Sequence, residues 1–359
     1  MPVKGVGDGA ADEDVSTMNA PVQGQDFAPE ELKGRAQQGA VLLVGEPMVL
    51  FTAEQTGDLQ HVQRFNASIA GAELNVAVGL TRLGRKVVYL TRVGQDPFGV
   101  KIREFLQREG IDDSQLKVDP HHSTGFMLKS KVTQGDPATA YWRAGSAASA
   151  LGPSDIEQVD LSGITLLHLT GILPALSPSA AQVTRALMDK AHSDGVFVSF
   201  DPNLRPALWE SQEAMCSTMR DLCSRADLVL PGIGEGEQLF GVSKIEEIGQ
   251  AFVRNGAHYA VVKDGPRGAY ATDGTHAVYV PAFVVSKVVD TVGAGDGFAA
   301  GLLSALLEGQ TFGQAMERAC AIGAMQTQVV SDNEGLPSPQ ELKAFMSSHP
   351  RYQAQAARH

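Results

Sequence analysis

The chain has 359 residues, room for about two domains at roughly 150 residues each and enough to bury a large core. Hydrophobic residues make up 43% and charged residues 19%, a globular composition. With 41 acidic against 29 basic side chains the net charge is -12, a field that repels phosphate backbones and anionic lipid. No nucleic-acid or membrane partner is therefore expected, and an anionic substrate would need a local positive pocket. Cys216, Cys223 and Cys320 form neither a C-x-x-C pair nor an even disulfide framework, as in a reduced cytoplasmic protein. No apolar run reaches the roughly 18 residues of a membrane span. Asp8, Asp12, Glu13 and Asp14 stand where a signal peptide would be apolar. A cytoplasmic location is expected.

Residues 1–38, rich in Gly, Ala, Gln and Asp, read as a disordered tail. The body is expected over 39–345, with a C-terminal tail over 346–359. It opens on the apolar run Val41-Leu42-Leu43-Val44-Gly45, a buried strand. Further runs follow at 87–90, 166–169, 196–200, 228–230 and 260–263. Helix-period segments lie between them at 73–84, 97–109, 178–194, 211–225 and 244–255. This alternation predicts an α/β fold, a doubly wound and mostly parallel sheet with helices on both faces. Ligands then bind beyond the carboxyl ends of the strands, after Val44, Leu169, Phe200, Leu230 and Val262. Residues 47–70 and 122–143 carry extended strands without helices and predict a small β-sheet lid, or else hairpins at the sheet edge.

A strand-like stretch from Val284 to Val289 leads into Asp290-Thr291-Val292-Gly293-Ala294-Gly295-Asp296, and a helical run follows from Phe298 to Leu307. Gly293, Ala294 and Gly295 leave backbone N–H groups at a helix N-terminus open to an anion. Asp296 at the same turn could accept a hydroxyl proton. The alternative is a glycine-rich helix start with a capping acid, and the full string is more specific than that.

The string resembles the signature of the ribokinase-like (PfkB-type) carbohydrate kinases. Gly71-Ala72-Glu73-Leu74-Asn75-Val76-Ala77 resembles their early sugar-binding motif. The resemblance covers roughly residues 41–340 and implies ATP and Mg2+ as cofactors, leaving K+ open. It implies Asp296 as general base and Gly293, Ala294 and Gly295 as the anion hole. Glu235, in Pro231-Gly232-Ile233-Gly234-Glu235, matches the acid of a metal-organising Asn-x-x-Glu motif, with Gly232 in place of Asn. Lys263, Gly265 and Gly268 fall in a segment similar to the family's nucleotide loop. A P-loop is absent, and so is the protein-kinase set of His-Arg-Asp and Asp-Phe-Gly.

Two arginines narrow the substrate. Arg205 follows a buried strand in Asp201-Pro202-Asn203-Leu204-Arg205-Pro206, and Arg143 shares a strand face with Tyr141. Two guanidinium forks suit a carboxylate, which points to a sugar acid. The same segments, with Gly45-Glu46-Pro47-Met48 and Thr124-Gly125-Phe126, resemble the 2-keto-3-deoxygluconate and 2-ketogluconate kinases. That likeness carries over Gly71, Asn75, Tyr141, Arg143, Arg205 and Asp296 as sugar-acid contacts. Met127 stands where a substrate-contacting Tyr is common, which keeps 2-ketogluconate open, and Glu46 is a candidate for a hydroxyl contact. The resemblance also implies a homodimer formed through the lid as an open expectation. A kinase of a neutral sugar such as fructose, or a non-catalytic sugar-acid sensor on the same fold, is the alternative.

Overall fold

The computed structural model describes residues 25–32, 39–132, 137–330 and 332–352. Its strands are β1 (Ala40–Val44), β2 (Met48–Thr56), β3 (Phe65–Ala70), β4 (Val87–Gly94), β5 (Leu116–Asp119), β6 (Phe126–Lys131) and β7 (Thr139–Trp142). The second half adds β8 (Ile164–Thr170), β9 (Phe197–Asp201), β10 (Leu228–Val229), β11 (Tyr259–Lys263), β12 (Gly268–Thr272) and β13 (Ala277–Pro281). Helices α1 (Ala72–Arg82), α2 (Pro97–Glu109), α3 (Pro153–Ile156), α4 (Ile172–Ala175), α5 (Pro178–Ser193) and α6 (Gln212–Cys223) alternate with them. They are followed by α7 (Ile233–Phe240), α8 (Ile245–Asn255), α9 (Ala294–Leu306), α10 (Phe312–Gln326) and α11 (Pro339–Ser348).

A nine-stranded sheet runs β13-β12-β11-β10-β9-β8-β1-β4-β5. It is parallel from β11 through β5 and antiparallel at β12 and β13. Period two sends alternate residues of each strand to opposite faces. Val41 and Leu43 of β1 enter the core built with α1, α2, α9 and α10. Leu42 and Val44 enter a second core built with α5, α6 and α8. Burial on both faces explains why the strands read as continuous apolar runs. Strand order reverses where β8 and β4 flank β1, so a crevice opens there at the carboxyl ends.

The strands of 47–70 and 122–143 pair into a second sheet, β3-β2-β6-β7. Met48 and Leu50 of β2, Ala70 of β3 and Met127 of β6 form one small apolar cluster. Val49 and Phe51, one residue out of phase, join the main core instead.

Three expectations are corrected. Val284–Val289 forms no strand, because its amides go to separate partners: Val284 N–H donates to Pro350 O and Val289 N–H to Thr327 O. Within the expected tail, residues 25–32 pack on the body. Leu32 is buried, the Phe27 ring lies 4.8 Å from Phe312, and Asp26 accepts from Gly313 N–H at 2.8 Å. The rest of 1–38 lies outside the described residues. The C-terminal boundary also moves: α11 runs to Ser348 and Arg351 pairs with Glu317 at 2.5 Å, while 353–359 lie outside the described residues.

Helix α9 lies unusually close to its neighbours. A Cβ at Gly301 would fall 2.8 Å from Ala319 Cα of α10, and one at Gly79 of α1 would fall 2.6 Å from Ala300 Cβ. Ordinarily, alanine for glycine inside a helix stabilises by about 0.8–1 kcal/mol. Here overpacking against backbone outweighs that gain, since it costs about 1–3 kcal/mol. Gly301→Ala is therefore expected to lower the melting temperature in calorimetry; a rise would show that α9 and α10 are not in tight contact.

Candidate active site

Two cavities meet at the N-terminus of α9. The first, of 470 Å³, is polar and lies between the small sheet and the carboxyl ends of the large one. Its lining includes Gly71, Asn75, Tyr141, Arg143, Arg205, Glu235, Lys263, Gly293, Gly295 and Asp296. The second, of 320 Å³, contains Gly265, Gly268 and Ala294, with Lys263, Thr291 and Gly295 shared between the two. Its other walls are largely apolar, among them Pro266, Phe283, Val285, Val288 and Phe298. The candidate catalytic, substrate, nucleotide and metal residues thus each line one or both cavities, whereas Glu46 lines neither. The valine run mistaken for a strand supplies two of the apolar walls.

The junction is the turn Gly293–Asp296. Gly293 caps α9 with φ of 78°, and a Cβ there would strike Asp332 O at 2.4 Å. Only glycine fits this left-handed position against backbone. Gly71, which caps α1 with φ of 148°, is similarly closed in by Glu46 O at 2.8 Å from a would-be Cβ. The first-turn amides of a helix lack intrahelical acceptors. Ala294 N–H turns back to Thr291 O over 3.3 Å.

Asp296 sits in the first turn of α9, where its Oδ2 accepts from Asn75 Nδ2 at 2.8 Å. The sequence places Asn75 among the substrate contacts; the structure directs its amide at the carboxylate. Asn75 is itself held by Asn333, whose Nδ2 donates to Asn75 Oδ1 at 3.3 Å and to Ile69 O at 2.9 Å. Burial pushes the Asp296 carboxyl up to about 7, and Asp201 adds to the rise. The Asn75 hydrogen bond, Lys263 and Arg205 pull the other way. A carboxylate poised there is suited to proton transfer near neutral pH.

Lys263 closes β11 and puts its ammonium 2.5 Å from Asp201 Oδ2 at the end of β9. Burial opposes that charge, but Asp201, Glu235 and Asp296 outweigh it and hold the ammonium above its ordinary range. Asp201 opens the Asp201–Pro206 segment noted in the sequence, but its pairing with Lys263 is not visible there, since 62 residues separate the two.

Glu235 accepts from Gly232 N–H at 2.7 Å and from Leu204 N–H at 2.8 Å. It therefore caps α7 and anchors the loop that carries Arg205. Burial, then the neighbouring Asp201, raises its carboxyl. Among the described residues no three Asp, Glu, His or Cys side chains converge as an all-protein metal site. The donors present, Asp201 and Glu235 beside an open polar cavity, suit a Mg2+ that keeps its waters and binds phosphate oxygens.

The two arginines differ. Arg143 is buried, with Nε at 2.7 Å and Nη2 at 2.5 Å from Glu46 Oε2, while Ser146 Oγ donates to Glu46 Oε1. Glu46, a candidate for a hydroxyl contact, is thus fully engaged in fixing Arg143. Arg205 is exposed at the cavity and bonded to its own loop, Nη1 donating to Leu204 O at 2.9 Å. Symmetric clamping by two free forks is not what the geometry provides; Arg205 is the more available cation.

Comparison with known proteins places the chain in a family. The chain is 42% identical over 305 residues to the 2-dehydro-3-deoxygluconokinase of Bacillus subtilis strain 168, covering 85% of this chain and 94% of that one. It is 32% identical over 327 residues to the enzyme of the same name from Thermoproteus tenax, covering 88% and 99%. The fructokinase of Vibrio cholerae O395, solved with fructose, ADP and a calcium ion, superposes with a TM-score of 0.76 at 30% identity, covering 86% and 99%. The description "pfkB family carbohydrate kinase" matches residues 39–339, and the chain belongs to that family of phosphotransferases.

Proposed function

We propose that this kinase transfers the γ-phosphoryl group of ATP to the 6-hydroxyl of a 2-keto sugar acid, 2-dehydro-3-deoxygluconate or 2-ketogluconate. The observation that carries the proposal is the wall shared by the two cavities. A polar chamber holding Asp296 and a largely apolar chamber meet at one helix N-terminus. The sugar acid fills the first, and the purine of ATP lies among Pro266, Phe283, Val285 and Phe298 in the second.

Asp296 accepts the proton of the hydroxyl as its oxygen forms the new bond to phosphorus and the bond to the departing ADP breaks. Asn75 keeps the carboxylate aimed. The Gly293, Gly295 and Asp296 amides, the α9 dipole and the Lys263 ammonium meet the charge on the phosphoryl group. When bound with ATP, Mg2+ would be held by phosphate oxygens and by Glu235 and Asp201 through water, and it would neutralise phosphate charge.

Arg205 is the proposed carboxylate ligand, with Arg143 and Tyr141 behind it on the small sheet. The names of the two bacterial and archaeal relatives support the acid over a neutral sugar. Met127 offers no hydroxyl to the substrate, so both keto acids fit the proposal. Pairing of two copies through the lid belongs to the same proposal, supported by Tyr141 and Trp142, each about half exposed on the edge strand β7.

Asp296→Asn is expected to lower kcat by roughly 10²–10⁴, the worth of a general base, while ATP still binds; unchanged turnover would remove Asp296 from the chemistry. Because the carboxylate must be ionised to act, kcat/KM for the sugar acid is expected to fall as pH drops through about 7. Arg205→Ala removes a charged contact worth about 1.5–3 kcal/mol, so KM for the acid should rise at least tenfold. Since Arg205 also lowers the Asp296 carboxyl, the acid limb should move to higher pH in the same variant. An unmoved KM would assign the carboxylate to another ligand.

A further inference from the structure

Strand β6 of the small sheet carries Met127 and Lys129 on one face, two residues apart. Lys129 is buried, and its Nζ lies 2.6 Å from Asp290 Oδ2 and 3.8 Å from Asp332 Oδ1, both carboxylates also being buried. Asp332 Oδ1 has no hydrogen-bond partner, so the ammonium is the charge that answers it. Burial raises the Asp332 carboxyl, and Lys129 is the first influence that lowers it again.

Both acids flank the phosphoryl-transfer turn. Asp290 heads it, and its second oxygen accepts from Val292 N–H at 3.1 Å. The Asp332 carbonyl packs against Gly293 from the other side, closely enough to exclude any Cβ. One ammonium from the small sheet therefore grips the two segments that hold Gly293 in place. Residues 129 and 290 are 161 positions apart, and no motif contains Lys129.

We propose that Lys129 is a positioning residue, a built-in cation that fixes the Gly293–Asp296 turn and couples it to the small sheet. The turn is then aligned only when the sheet that walls the sugar cavity is seated. Although Lys129 also lines that cavity, its ammonium is directed at Asp290 and Asp332, so it acts on the turn and not on the substrate. Removing it leaves two buried carboxylates facing each other without a cation, a strongly unfavourable arrangement. A small monovalent cation added from solution would restore the missing charge.

The proposal rests on the turn being the site of phosphoryl transfer, and its test keeps the two apart. Lys129→Met and Lys129→Ala are assayed for ADP release with Mg-ATP and a keto acid. Tetramethylammonium serves as background cation, and K+, NH4+ or methylammonium is titrated in. For both variants we expect kcat to fall at least about tenfold, the scale of small misplacements in a site, with KM for the sugar acid nearly unchanged. In Lys129→Ala at least one of the three cations should restore kcat several-fold, while the wild type responds less than twofold. Wild-type kcat in the variants, a rise in KM alone, or a loss that no cation relieves would overturn the proposal. If either variant fails to fold, as judged by circular dichroism, Lys129→Met/Asp332→Asn removes a carboxylate with the ammonium and carries the same kinetic test. A wild type inactive on every sugar would instead refute the reading of the turn.

Discussion

The close approach of helix α9 to α1 and α10 is the constraint on which the site depends. Small residues at Gly79, Ala300, Gly301 and Ala319 let three helices pack almost backbone to backbone. Interiors this dense transmit displacement instead of absorbing it, so the core sets where the α9 axis ends, and the Lys129 contacts align the turn at that position. That position is the boundary between the two cavities, where Gly293 and Gly295 line the polar chamber and Gly295 and Ala294 the apolar one. The proposed anion-binding amides and proton acceptor therefore share one turn, set on a rigid core.

Charge is arranged with the same economy. The protein is acidic overall, with a net charge of -12, yet Lys263 and Arg205 line the polar cavity together with Asp201, Glu235 and Asp296. Burial alone would raise the Asp296 carboxyl further; the two cations and Asn75 restrain it to about 7. The balance leaves a base that is substantially ionised at neutral pH yet basic enough to take a proton. In the proposed reaction an anionic substrate and a nucleotide would meet local positive groups, not the field of the whole molecule.

Much of the fold is legible in the sequence, because strands buried on both faces leave apolar runs and the helices between them leave a period near 3.6. Val41-Leu42-Leu43-Val44 and Val196–Phe200 are examples. The Val284–Val289 run misleads for a definite reason: its valine content suits a strand, but Val285 and Val288 line a cavity while the amides bond elsewhere. Phe27 and Leu32 are likewise hidden in a polar tail, since two apolar anchors in a long stretch leave no period. Of the cavity lining, the part carried by short glycine-containing strings, Gly71 with Asn75 and Gly293 to Asp296, is legible, whereas Lys129, Thr139 and Asp332 are not. What the sequence hides are pairings across long separations: Arg143 with Glu46, Lys263 with Asp201, and Lys129 with Asp290 and Asp332. These set which charged side chains remain available to a substrate, and only the folded chain brings them together.

The most direct measurement is a coupled ADP-release assay with Mg-ATP, comparing 2-dehydro-3-deoxygluconate, 2-ketogluconate, gluconate and fructose as acceptors. A clear preference in kcat/KM for one of the two keto acids is the expected result, and their ratio reports what Met127 permits. Preference for fructose would contradict the assignment of Arg205 to a carboxylate while leaving the phosphoryl-transfer turn intact.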